Sequence, residues 1–210
     1  MKRIVCFGDS NTWGCDPVKE SRYTPEIRWT GKLQQLLGEE YLIIEEGQNG
    51  RTVMSDDPWE GEKNGYQYII PCIESHTPLD MLIIMLGTND MKQKFSVSAY
   101  EIALSMERML EKIRSFEQYH MEQKLDILLV SPIHIGENMQ QCILSEFFGG
   151  RETIEKSKHL GKYYEEAAKK YHCAYLDAAT VAEPSTTDGV HMTATGHEDL
   201  AKALFPYIIS

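Results

Sequence analysis

Residues 4–14 read IVCFGDSNTWG. Four apolar residues, Ile4 to Phe7, run straight into Gly8-Asp9-Ser10. A short continuous apolar run with β-branched and aromatic members, ended by glycine, reads as a strand buried on both faces. Asp9 or Ser10 then caps whatever follows. A serine just past the first buried strand stands at the carboxyl edge of a sheet, where open α/β sheets place their ligands. In isolation, Ser10 reads as a cap or turn serine.

Outward from this stretch, buried strands alternate with amphipathic helices. Trp29, Leu33, Leu36 and Leu37 form one helical face ended near Gly38. Residues 41–46 (YLIIEE) are a second strand. Ile69, Cys72, Ile73 and His76 mark the next helix, with Pro78 just beyond it. Residues 79–86 (LDMLIIML) are the third strand. Ser98 and Glu101 form a capping box ahead of a stripe from Ile102 to Ile113. Residues 125–130 (LDILLV) are the fourth strand and 173–177 (CAYLD) the fifth, with a helix on Leu160, Tyr164, Ala167, Ala168 and Tyr171 between them. Thr195 and Glu198 read as a second capping box, opening a last helix through Ile208. This alternation predicts a single α/β domain over residues 1–210, its parallel sheet covered on both faces. Residues 133–155 are the exception, a long connection that reads as a lid, a binding loop or an assembly surface. Within it Ile143, Leu144, Phe147 and Phe148 are candidates for an acyl pocket, a short helix packed on the core or a subunit contact.

Composition narrows the partners. The chain has 210 residues, 42% of them hydrophobic, and a formal net charge of −11. Such an acidic chain is repelled by phosphate backbones and anionic lipid, which argues against nucleic acid and membrane surfaces. The N-terminus is too short in apolar residues for a signal peptide, and no stretch approaches a membrane span. The five cysteines are odd in number and scattered, without a CxxC pair. They read as reduced thiols of a cytoplasmic protein with no zinc site. Lys156, Lys158 and Lys162 read as a solvated helix face, and the methionines as core.

Three more segments follow strands or precede the last helix: Gly47-Gln48-Asn49-Gly50-Arg51, Gly87-Thr88-Asn89-Asp90 and Asp188-Gly189-Val190-His191. Each alone is an ordinary turn or cap. Together they aim polar groups at one sheet edge. Asp188, three residues ahead of His191 across a glycine turn, can reach the imidazole Nδ1 and leave Nε2 facing outward. A nucleophilic serine needs this arrangement of a base and a carboxylate that orients it. The backbone N–H groups of Ser10 and Gly50 and the side-chain amide of Asn89 are candidate oxyanion donors. Asp9 and Asp90 read as loop anchors.

These four ordered blocks resemble those of the SGNH hydrolases, also called GDSL esterases, the four letters falling on Ser10, Gly50, Asn89 and His191. GDSNTWG with Arg28-Trp29 and Gly50-Arg51-Thr52 is similar to the arylesterase/acyltransferase branch. The resemblance covers nearly the whole chain. It implies a three-layer α/β/α fold with a flavodoxin-like five-stranded parallel sheet, and ester hydrolysis through an acyl-serine with no metal or cofactor. It further implies Ser10, Asp188 and His191 as catalytic residues. Asn11, Trp13, Phe147 and Phe148 are the candidates for substrate contact. Cys15 stands where acyltransferase members tend to carry a bulkier aromatic, which favours hydrolysis over transfer.

The leading expectation is an esterase for small, acetyl-type esters, a homo-oligomer being compatible with this branch. The alternatives are a carbohydrate O-acetyl esterase, a thioesterase or lysophospholipase, and a non-catalytic flavodoxin-like binding module.

Overall fold

The computed structural model describes residues 1–209. Five strands form one parallel sheet: β1 (Lys2–Gly8), β2 (Tyr41–Gly47), β3 (Met81–Met85), β4 (Asp126–Ser131) and β5 (Ala174–Asp177), in spatial order β2-β1-β3-β4-β5. The order reverses between β1 and β3, and open α/β sheets bind ligands at such a switch point. Ser10 lies directly beyond it.

Helices α1 (Trp29–Leu37), α2 (Gly65–His76), α3 (Ala99–His120), α4 (Arg151–Lys170) and α5 (Ala194–Ile209) complete three layers. The period-two pleat of β1 explains the layering. Ile4 and Cys6 point into a core with Trp29 and Leu33 of α1 and Leu200 and Leu204 of α5. Val5 and Phe7 point the other way, into a core with Ile69 and Ile73 of α2, Met106 and Ile113 of α3, and Leu160 and Tyr164 of α4.

Two expectations need correction. The 133–155 segment is not one loop. It holds a 3-10 turn at Glu137–Gln141 and a helical turn at Ser145–Phe148, and its last five residues already belong to α4. The last helix begins two residues earlier than the Thr195 box requires. Thr193 caps it, its Oγ1 accepting from the Gly196 N–H at 3.1 Å. Thr195 lies inside the helix, and Glu198 pairs with Lys32 and Lys202. The Ser98–Glu101 box is present as read.

Candidate active site

The serine turn is built by its aspartate. The Asp9 carboxylate accepts from the Asn11 N–H at 3.0 Å and caps a single helical turn, Ser10–Trp13, closed by left-handed Gly14. Gly47 at the end of β2 lets this turn pass close by: a Cβ there would come within 2.2 Å of the Trp13 nitrogen. Trp29 holds the turn from below, donating from Nε1 to the Asn11 carbonyl at 3.1 Å.

The second block is clamped by Arg51. Its guanidinium donates to the carbonyls of Gly8 (3.0 Å) and Glu46 and lies over the Phe7 ring. Gly50 between these strands has φ of +79°, a conformation that glycine adopts without strain. In the third block, Asn89 donates one amide proton to the Arg51 carbonyl at 3.1 Å, and an amide carries a second. Both carboxylate oxygens of Asp90 accept from the Val53 N–H, at 3.0 and 2.9 Å, which joins blocks two and three.

The fourth block folds over the same edge. The Asp188 carboxylate accepts from the backbone N–H groups of Val190 and His191 and lies 2.6 Å from the His191 Nδ1. His191 Nε2 is 2.9 Å from the Ser10 Oγ. Burial opposes a charge on the imidazole, but the bond to Asp188 and then the contact with Cys15 outweigh it, so the His191 pKa lies above its ordinary value. The Asp188 pKa is held down: burial raises it, and the hydrogen bond and charge of His191 lower it further.

Ser10, Gly50, Asn89 and His191 line one pocket of about 220 Å³. Leu144, Phe148 and Val190 supply apolar surface, while Asn49, Glu60 and Lys92 supply polar groups. The other substrate candidates lie elsewhere. Asn11 is buried, its amide spent on the Val190 carbonyl (3.2 Å) and the Met192 N–H (2.9 Å), so it ties the serine turn to the histidine loop. Trp13 packs against Gly47 with the Arg22 guanidinium over its ring. Phe147 points outward, because only alternate sides of a single helical turn can face the pocket. Glu60 and Lys92, an ion pair of 3.2 Å at the pocket edge, escaped the sequence reading. The only trace was a lysine two residues past Asp90.

The parallel sheet thus carries a Ser10–His191–Asp188 hydrogen-bonded chain at its switch point. The sequence over residues 6–198 matches the GDSL-like lipase/acylhydrolase family, and the chain belongs to that family. It is a carboxylic ester hydrolase. Among solved structures, the M. smegmatis aryl esterase is 35% identical, with a TM-score of 0.92 over 100% of this chain and 99% of that one. A carbohydrate acetylesterase from Sinorhizobium meliloti is likewise 35% identical, with a TM-score of 0.92 and the same coverage. A carbohydrate acetylesterase family member from the same organism is 32% identical over 99% of this chain and 97% of that one, at a TM-score of 0.90. Comparison with curated proteins gives no significant match.

Proposed function

We propose that this chain hydrolyses small carboxylic esters, acetyl esters first among them, through an acyl-serine at Ser10. The observation that carries the reading is the unbroken contact from Ser10 Oγ to His191 Nε2 (2.9 Å) and from Nδ1 to Asp188 (2.6 Å), at the wall of a small pocket. Ser10 attacks the carbonyl while His191 takes its proton and returns it to the leaving alcohol. Asp188 holds the imidazole tautomer and stabilises its cation. The N–H groups of Ser10 and Gly50 and the free amide proton of Asn89 receive the oxyanion. Water releases the acyl group, and an alcohol in its place gives acyl transfer.

The volume of about 220 Å³ is below the roughly 300–1,000 Å³ of pockets for larger ligands, which supports a short acyl group against Leu144, Phe148 and Val190. Glu60, Lys92 and Asn49 give the alcohol side hydrogen-bonding groups, which suits a sugar as well as an aryl leaving group. The likeness to an aryl esterase and to carbohydrate acetylesterases supports the same range.

The proposal includes a cytoplasmic location, supported by five free thiols, and a homo-oligomer, supported by exposed Ile143 and Phe147. No helix among the described residues is long and apolar enough to cross a membrane. Hydrolysis of p-nitrophenyl esters from acetate to dodecanoate tests the reading, wild type beside Ser10→Ala. The expected rate peaks at acetate and is lost in Ser10→Ala with the fold retained. Unaltered turnover in that variant overturns the assignment of Ser10, and a peak at long chains overturns the short acyl pocket.

A further inference from the structure

Helix α2 presents a group of side chains that the ester chemistry does not use. Cys72 and His76 stand one helical turn apart and share a face. That face meets β2 at Glu46. His76 Nε2 is 2.7 Å from Glu46 Oε1. A carboxylate oxygen, the Cys72 Sγ and a His76 ring nitrogen all lie within 4.8 Å of one another. Cys72 is buried, while the side chains of His76 and Glu46 are 23% and 18% exposed, so small ions reach the group from solvent. None of the three lines the Ser10 pocket. Glu46 instead walls a separate cavity of about 800 Å³ with Arg51, Tyr68 and Pro71.

We propose that Glu46, Cys72 and His76 form a binding site for a zinc-class divalent cation, with a fourth position left for water or another small donor. The donor set selects the ion. Thiolate, imidazole and carboxylate are the ligand types zinc takes, tetrahedrally, at about 2.0–2.3 Å. Calcium and magnesium take oxygen donors and have no use for the thiolate. Ligand atoms around such an ion sit roughly 3.3–3.8 Å apart, inside the 4.8 Å span already present. The Glu46–His76 contact of 2.7 Å has to open, between two side chains that are partly exposed. On binding, the Cys72 thiol releases its proton to solvent and His76 coordinates as neutral imidazole. Thiolate and carboxylate then cancel the dication.

The absence of a CxxC pair hides this site in the sequence, because its ligands come from a strand and a helix 26 residues and more apart. The consequence is local. Glu46 directly precedes the turn that carries Gly50, and its carbonyl accepts from Arg51. An ion here ties the end of β2 to α2 ahead of that turn.

Cobalt titration of the full chain, freed of metal by a chelator and then of the chelator, tests the proposal. One equivalent of Co²⁺ is expected to give an intense near-ultraviolet thiolate-to-cobalt band that Zn²⁺ abolishes. Cys72→Ala loses the band, and His76→Gln binds Co²⁺ at least about tenfold more weakly. Cys15→Ala keeps the band, which separates this site from the thiol beside His191. No band at one equivalent, a band that survives Cys72→Ala, or one lost in Cys15→Ala overturns the proposal. Should Cys72→Ala fail to fold, His76→Gln decides on its own, since unchanged affinity there also overturns it.

Discussion

At His191 two forces oppose each other. Burial disfavours the imidazolium, whereas Asp188 and Cys15 favour it, and the balance lies with the cation. A base with a raised pKa becomes competent only as the pH climbs past that value. The acid limb of kcat/KM is therefore expected above about pH 6.5, the ordinary histidine value. Asp188→Asn removes the carboxylate that raises it. The limb then moves toward lower pH, and kcat falls by a factor on the order of 10⁴ as the tautomer is lost. A pH–rate profile of both proteins checks this, and a limb that stays in place in the variant contradicts it. The convergence of Ser10, Gly50, Asn89, Asp188 and His191 at one sheet edge was legible because the strand ends dictate position. Asn11 was misread because an amide beside a nucleophile looks the same whether it faces substrate or backbone. Glu60 and Lys92 were invisible because charged loop residues carry no periodicity.

Among the elements, the start of α5 shows how local signals mislead. Thr193 and Thr195 both offer a hydroxyl within two residues, and only the backbone decides which one stands outside the helix. The same first turn buries His197, whose Nδ1 accepts from the Trp29 N–H at 3.2 Å. Burial first, then the charges of His191 and Arg28, hold its pKa down to about 3. The folded chain thus leaves His197 neutral where the unfolded chain protonates it. Below about pH 6.5 the unfolded state binds more protons, so stability falls with pH, by about 2 kcal/mol between pH 7 and 5 from this group. His197→Asn keeps an acceptor near the Nδ1 position and removes the titration. It is expected to cost about 1–3 kcal/mol at pH 7 through lost packing, and to lose less stability on acidification than wild type. Urea unfolding at the two pH values measures both effects, and an equally steep loss in the variant refutes the assignment. The Ser145–Phe148 turn matches the short-helix alternative for this segment, which the sequence could not choose over the others because four residues are too few to establish a period.

Across the whole molecule, the parallel sheet and the two-sided core followed from the sequence, whereas the strand order is read from the structure. Continuous apolar strands demand cover on both faces, and right-handed crossovers leave few ways to connect them. Which apolar side chains of 143–148 stand exposed did not follow, because an apolar side chain in an irregular segment carries no mark of facing inward or outward. The structure separates the two classes within one turn. Leu144 and Phe148 line the pocket, while Ile143 and Phe147 are 72% and 45% exposed. A net charge of −11 makes copies of this chain repel at long range, so association needs a local apolar contact to offset it. In the homo-oligomer proposed above, exposed Ile143 and Phe147 would supply that contact, and a second copy seated on them would brace the pocket wall from behind. The double substitution Ile143→Lys, Phe147→Lys is therefore expected to lower the mass measured by sedimentation velocity. It should also raise KM for short esters as the wall loosens, with the Ser10–His191 contact untouched. An unchanged mass overturns assembly through this contact. A lower mass with unchanged KM separates assembly from the pocket.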